Sequence, residues 1–137
     1  MLCIVMNYRK SKIEELKLNT RWLEKSKAKN AYDFAMKFSS TKRYGLNEET
    51  VSSIEQLIID SDSIAKQWLS ERLDSNGTVQ VVYSSEEVFI IPTKQFLDNW
   101  QQIFLPARDD ALIVHNLNKQ VVFYCHEEEL EIGERNA

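Results

Sequence analysis

The sequence predicts an α+β fold, N-terminal helices packed on a C-terminal mostly antiparallel sheet with one inserted helix, and three observations lead to it. Apolar residues recur every three to four positions before Gly77. From residue 79 to residue 132 they alternate with polar ones in three short runs, and the turn-forming pair Asn76-Gly77 separates the two regimes. A chain of 137 residues with 43% hydrophobic content suits one domain spanning 1–137. Such a domain buries about two thirds of the surface its unfolded form exposes. Its helical part is expected over 10–75 and its sheet part over 78–133.

Asn19-Thr20 suits a helix cap, and Leu23, Ala31, Phe34, Ala35 and Phe38 share one face, so a first helix is expected to run to Phe38. Lys25, Lys27, Lys29 and Lys37 occupy its other face. Ser39 to Gly45 interrupts the pattern. Asn47 and Thr50 precede Val51, Ile54, Leu57 and Ile58, and Glu48 and Glu49 suit the positive end of a helix dipole, which predicts a second helix. Ser61 to Ser63 caps a third, with Ile64, Ala65, Trp68, Leu69 and Leu73 as its stripe. Asp74-Ser75-Asn76-Gly77 ends it, because Asn and Gly tolerate positive φ.

Val79, Val81 and Tyr83 alternate with Gln80, Val82 and Ser84, and Val88 to Ile91 returns after Ser84-Ser85-Glu86-Glu87, which predicts a hairpin. Pro92-Thr93 closes its second strand. Thr93 can cap the inserted helix, which contains Phe96, Leu97 and Trp100 and can extend to Ile103 and Phe104; Phe96 and Trp100, four apart, read as core contacts, and Trp68 and Trp100 are expected to be largely buried. Pro106-Ala107-Arg108-Asp109-Asp110 reads as a turn. A second hairpin joins Ala111 to Val114 with Gln120 to Tyr124 around Asn116-Leu117-Asn118-Lys119. His126 to Glu129 turns again, and Leu130 and Ile132, alternating with Glu131 and ending at Gly133, make a last strand of a sheet of about five.

Only Cys3 and Cys125 carry thiols, too few for a disulfide framework, so both are expected to be reduced and the location cytoplasmic. Cys125, between Tyr124 and His126, reads as a small buried hydrophobe. Met1 to Met6 is apolar but far shorter than a membrane span of about 20 residues, and Met6 could equally be the start. No membrane partner is expected. The net charge of -4 hides an asymmetry: residues 1–43 hold eleven Lys or Arg against four acids, and residues 44–137 hold six against seventeen. Either basic helices lie on an acidic sheet, or one face is offered to a charged partner.

The pattern Val81-Val82-Tyr83, Ile90-Ile91-Pro92, Phe96, Trp100, Phe104-Leu105, Asp109-Asp110, Val121-Val122-Phe123 and Leu130 to Arg135 resembles small uncharacterised bacterial proteins. Some of these resemble immunity proteins of interbacterial toxin systems. The resemblance implies a protein that binds and neutralises a cognate toxin, and it rests on the C-terminal, sheet-forming part of the chain.

Chemistry-bearing side chains gather in Asp109, Asp110, His126, Glu127, Glu128 and Glu129, from two turns expected at one end of the sheet. Oxygen and nitrogen donors of this kind can hold a divalent ion or tune His126 for proton transfer. The spacing matches no metal or nucleophile motif, nor is there a Gly-rich phosphate loop, so no metal, cofactor or catalytic residue is expected. Direct nucleic-acid binding is not expected either, because the aromatics of the lysine-bearing helix lie off its basic face and the rest of the chain repels phosphate. The leading expectation is a protein-binding, immunity-type protein whose acidic surface, formed by Glu86, Glu87, Asp109, Asp110, Glu127, Glu128 and Glu129, meets a basic toxin such as a nuclease. The alternatives are an enzyme of unknown reaction using the Asp/His/Glu cluster, or a structural or regulatory interaction protein.

Overall fold

A computed structural model describes residues 2–104 and 109–136, with residues 2–8 described in their backbone only. In chain order the elements are α1 (Leu2–Glu15), β1 (Arg21–Trp22), α2 (Lys25–Ala35), a single 3₁₀ turn (Met36–Phe38), β2 (Val51–Ile58), α3 (Asp62–Arg72), β3 (Thr78–Val82), β4 (Val88–Pro92), α4 (Thr93–Ile103), β5 (Ala111–His115), β6 (Gln120–Cys125) and β7 (Glu129–Arg135). The strands form one antiparallel sheet in the order β1-β4-β3-β5-β6-β7-β2. The fold is therefore α+β, and both expected hairpins are present, β3 with β4 and β5 with β6.

Both faces of the sheet are covered. On one, Ile13 of α1, Ala65 and Leu69 of α3, and Phe96, Leu97 and Trp100 of α4 pack on Val79, Val81, Phe89, Ile113, Val122, Tyr124 and Leu130. On the other, Ala28 and Ala35 of α2, with Phe38 and Leu46 after it, pack on Val82, Val88, Leu112, Val114, Val121 and Phe123. Alternate side chains of the central strands thus enter two apolar layers rather than core and water. All five residues of β5 are buried for this reason.

The stretch expected to be the second helix is strand β2, paired with β7 at the sheet edge. A bulge between Ser52 and Glu55, with Ser53 at φ 54°, explains the misleading spacing. The extra residue shifts the strand's phase, so Val51 and Ile54, three apart, fall on the α2 side while Leu57 packs with α3 and α4 on the other. The β-branched Val51, Ile54 and Ile58 suit a strand.

Asn19-Thr20 caps no helix. Arg21 and Trp22 pair with Ile90 and Phe89 as a two-residue edge strand, Trp22 packs its ring 4.9 Å from that of Phe89, and α2 begins after Glu24. Tertiary pairing overrides the local cap signal here. Helix α1 begins ahead of the helical part expected from residue 10 and was not singled out as a helix, and the sheet has seven strands among the described residues rather than five. The third helix matches: the Ser61 hydroxyl accepts a 3.3 Å bond from Ile64 N and caps α3. Trp100 is buried and Trp68 half-buried. Leu105 to Arg108, and the side chain of Cys3, lie outside what is described.

Candidate functional site: the acidic end of the sheet

Antiparallel registry decides where the turns go. Val82 pairs with Val88 and Leu112, Ala111 with Tyr124, and Glu129 with both Cys125 and Ile58. The β3–β4 turn, Asp109-Asp110 at the entry to β5, and the β6–β7 turn therefore gather at one end of the sheet. Every acid of the expected surface lies there.

The structure divides these acids into two groups. Arg9, reaching from α1, places Nη1 2.5 Å from Glu87 Oε1 and Nη2 2.7 Å from Asp109 Oδ1, with its guanidinium 4.4 Å from the Tyr83 ring centroid. Asp109 is 2% exposed, so it belongs to the interior and not to the expected surface. The Tyr83 hydroxyl donates to Ile103 O at 2.7 Å, and burial, then the charge of Asp109, holds its phenol well above the usual range. Glu86 faces Lys25 at 3.8 Å. Part of the charge asymmetry is thus internal, with Arg9 and Lys25 of the basic segment answering acids of the sheet.

The second group surrounds the β6–β7 turn. Asp110 Oδ1 accepts from both the backbone N and Nδ1 of His126, each at 2.8 Å. That hydrogen bond, helped by the charges of Asp110 and Glu127 and opposed by desolvation, raises the His126 pKa above its ordinary value. Glu128 adopts φ 60° and donates its N–H to Cys125 O at 2.8 Å, which turns the chain back into β7. Among the described residues none of Glu127, Glu128 and Glu129 forms an ion pair, in contrast to Glu86, Glu87 and Asp109. Glu127 and Glu128 are exposed and Glu129 half-buried.

Two neighbours were not anticipated. Tyr44, 61% exposed, sets its ring edge-on to His126 with centroids 5.0 Å apart. It also borders a groove of about 220 Å³ that includes Tyr32, Met36 and Asp110. A lone aromatic within the polar Ser39 to Gly45 segment was the available signal. Cys125 is the other: it is buried as expected, burial pushes its thiol up, and its sulfur lies with ligand atoms of Asp110 and His126 within 4.8 Å of one another.

The second histidine works elsewhere. His115 is fully buried at the opposite end, where Nδ1 accepts from Leu117 N at 3.0 Å and Asn118 N at 3.3 Å while Nε2 donates to Asp74 O at 3.0 Å. It shapes the β5–β6 turn. The lysines of α2 at 25, 27 and 29 are exposed, and Lys29 pairs with Asp33 on its own helix.

What the acidic end can do chemically is present localised negative charge beside an exposed aromatic, and hold a cation. Among the described residues no helix is long and apolar enough to cross a membrane. No family model, no curated protein and no solved structure matches this chain.

Proposed function

We propose that this protein is a cytoplasmic, immunity-type inhibitor that neutralises a cognate bacterial toxin by covering a basic face of it with the acidic end of the sheet. One observation carries the reading: Glu127, Glu128 and Glu129 form no ion pair among the described residues, while Tyr44 stands exposed against His126 next to them. Uncompensated charge steers a cationic partner and speeds its association, and an exposed tyrosine beside a groove is the usual kind of energetic anchor. Glu86 and Asp110 extend the surface. Glu87 and Asp109 support it from behind through Arg9.

Co-purification from the source strain tests this reading. The expected partner is one stoichiometric polypeptide that arrests growth when produced alone and is tolerated when this chain is co-produced. Changing Glu127, Glu128 and Glu129 together to Lys should slow its association, most strongly at low salt, since the Debye length is only about 8 Å at physiological ionic strength. Tyr44→Ala should cost about 2 kcal/mol of affinity or more. The reading fails if the partner is harmless, or if association is unchanged by these variants and is lost on reversing Lys25, Lys27 and Lys29.

A further inference from the structure

Behind the β6–β7 turn the two ends of the β5–β6 hairpin bring three kinds of donor together. Asp110 leads into β5, Cys125 ends β6, and His126 follows it. Their ligand atoms all lie within 4.8 Å of one another, and Asp110 Oδ1 is already 2.8 Å from His126 Nδ1. The thiol separates this cluster from a run of surface acids. Cys125 is 1% exposed, and its sulfur has a single polar partner among the described residues, a long 3.5 Å bond accepted from Glu127 N.

We propose that Asp110, Cys125 and His126 form a zinc site, binding through a carboxylate oxygen, Sγ and Nδ1, with the fourth position open to solvent. Zinc takes bonds of about 2.0 to 2.3 Å to these donors in a tetrahedral arrangement, so donors on one ion stand roughly 3 to 3.5 Å apart. The carboxylate and imidazole are near that spacing, and both are partly exposed, so side-chain rotation can close the remaining gap to sulfur. Sulfur with imidazole favours zinc over the hard ions magnesium and calcium. As zinc binds, the thiol proton leaves to solvent, and Nδ1 of His126 gives up the proton it donates to Asp110, leaving the neutral imidazole protonated at Nε2; no electron is transferred. Cys125 also lies with Glu127 and Glu129 in a second, overlapping cluster, but that set lacks the imidazole. The site is independent of the toxin reading, since it requires no partner.

Cobalt titration of the reduced full-length chain tests the site directly. One Co²⁺ per chain is expected, with a thiolate charge-transfer band in the near ultraviolet that zinc abolishes by competition and a magnesium excess does not. The band should survive Cys3→Ser and disappear in Cys125→Ser. His126→Gln, a substitution at a partly exposed position that leaves the core intact, should weaken binding with the fold retained by circular dichroism. Absence of the band, its persistence in Cys125→Ser, or its loss in a Glu127→Gln, Glu129→Gln pair while His126→Gln binds normally would overturn the assignment.

Discussion

Arg43 reaches from the segment after α2 to Glu131 of β7, with Nη1 2.5 Å from Oε2 and Nη2 3.2 Å from Oε1. Leu46 N donates to the same carboxylate at 2.9 Å, and Arg43 also donates to Leu46 O, so one buried acid ties Arg43 and Leu46 of this loop to the α2 side of the sheet. Glu131 is 4% exposed although strand alternation alone would give it water. The bonded pair raises the Arg43 pKa further, chiefly through the hydrogen bond to Glu131.

Removing Arg43 should therefore hurt more than losing a surface ion pair, because it leaves Glu131 buried with only one donor. Arg43→Ala is expected to cost about 2 to 3 kcal/mol, below the range for fully buried pairs because the Arg43 side chain is 38% exposed. Urea unfolding measures this. Arg43→Ala with Glu131→Leu should recover part of the loss, since the uncompensated charge is then gone.

Gly133 marks where β7 passes the bulged edge strand. A Cβ at this position would stand 2.5 Å from Val51 Cγ1 and 2.8 Å from the backbone oxygen of Ser52. Backbone cannot yield cheaply, so Gly133→Ala should destabilise by about 1 to 3 kcal/mol and loosen the pairing of β2 with β7. Hydrogen exchange should speed up at Leu57 and Ile59, whose amides alternate toward β7, before it does so in β5. An unchanged β2 would show that the bulge relaxes instead.

The β3–β4 and β5–β6 hairpins could be read from sequence because short apolar runs of strand length are bounded there by polar turn residues, and Asn76-Gly77 does turn the chain, with Gly77 at φ 73°. Helix α3 could be read because Ser61 supplied a cap ahead of a clear stripe. Strand β2 could not, since its bulge converts a period of two into a spacing of three. The acids of the site were visible as composition. Their division was not, because it depends on Arg9 meeting Asp109 across 100 residues of sequence and on Tyr44 meeting His126, contacts that no local pattern encodes.

Trp100 and Trp68 offer a graded check on the core between α3, α4 and the sheet. Trp100 is 3% exposed within the main cluster, so Trp100→Ala should cost about 3 to 5 kcal/mol. Trp68 packs at the edge of that cluster with the Arg72 guanidinium 4.6 Å from its ring, and its replacement should cost clearly less. Thermal unfolding of both variants gives the comparison. Equal losses would mean that the half-exposed face of Trp68 carries packing of its own.

Asp74 sets the acid limit of the turn that joins α3 to the sheet. Its Oδ1 accepts from Asn76 N at 2.9 Å and Asn76 Nδ2 at 3.1 Å, and the backbone bond is the main reason its pKa lies below the ordinary 3.8. A carboxyl with a lowered folded pKa binds fewer protons folded than unfolded, so its contribution is present above 3.8 and is lost as pH falls through the folded value. The carboxyl resonance of Asp74 should accordingly titrate below 3.8, and the stability of Asp74→Asn should fall less steeply in acid than that of the unaltered chain. His115 donates to the Asp74 backbone carbonyl, which the substitution keeps, so the fold should survive for the comparison. Identical acid limbs in the two proteins would show that the side-chain turn forms equally in the unfolded chain.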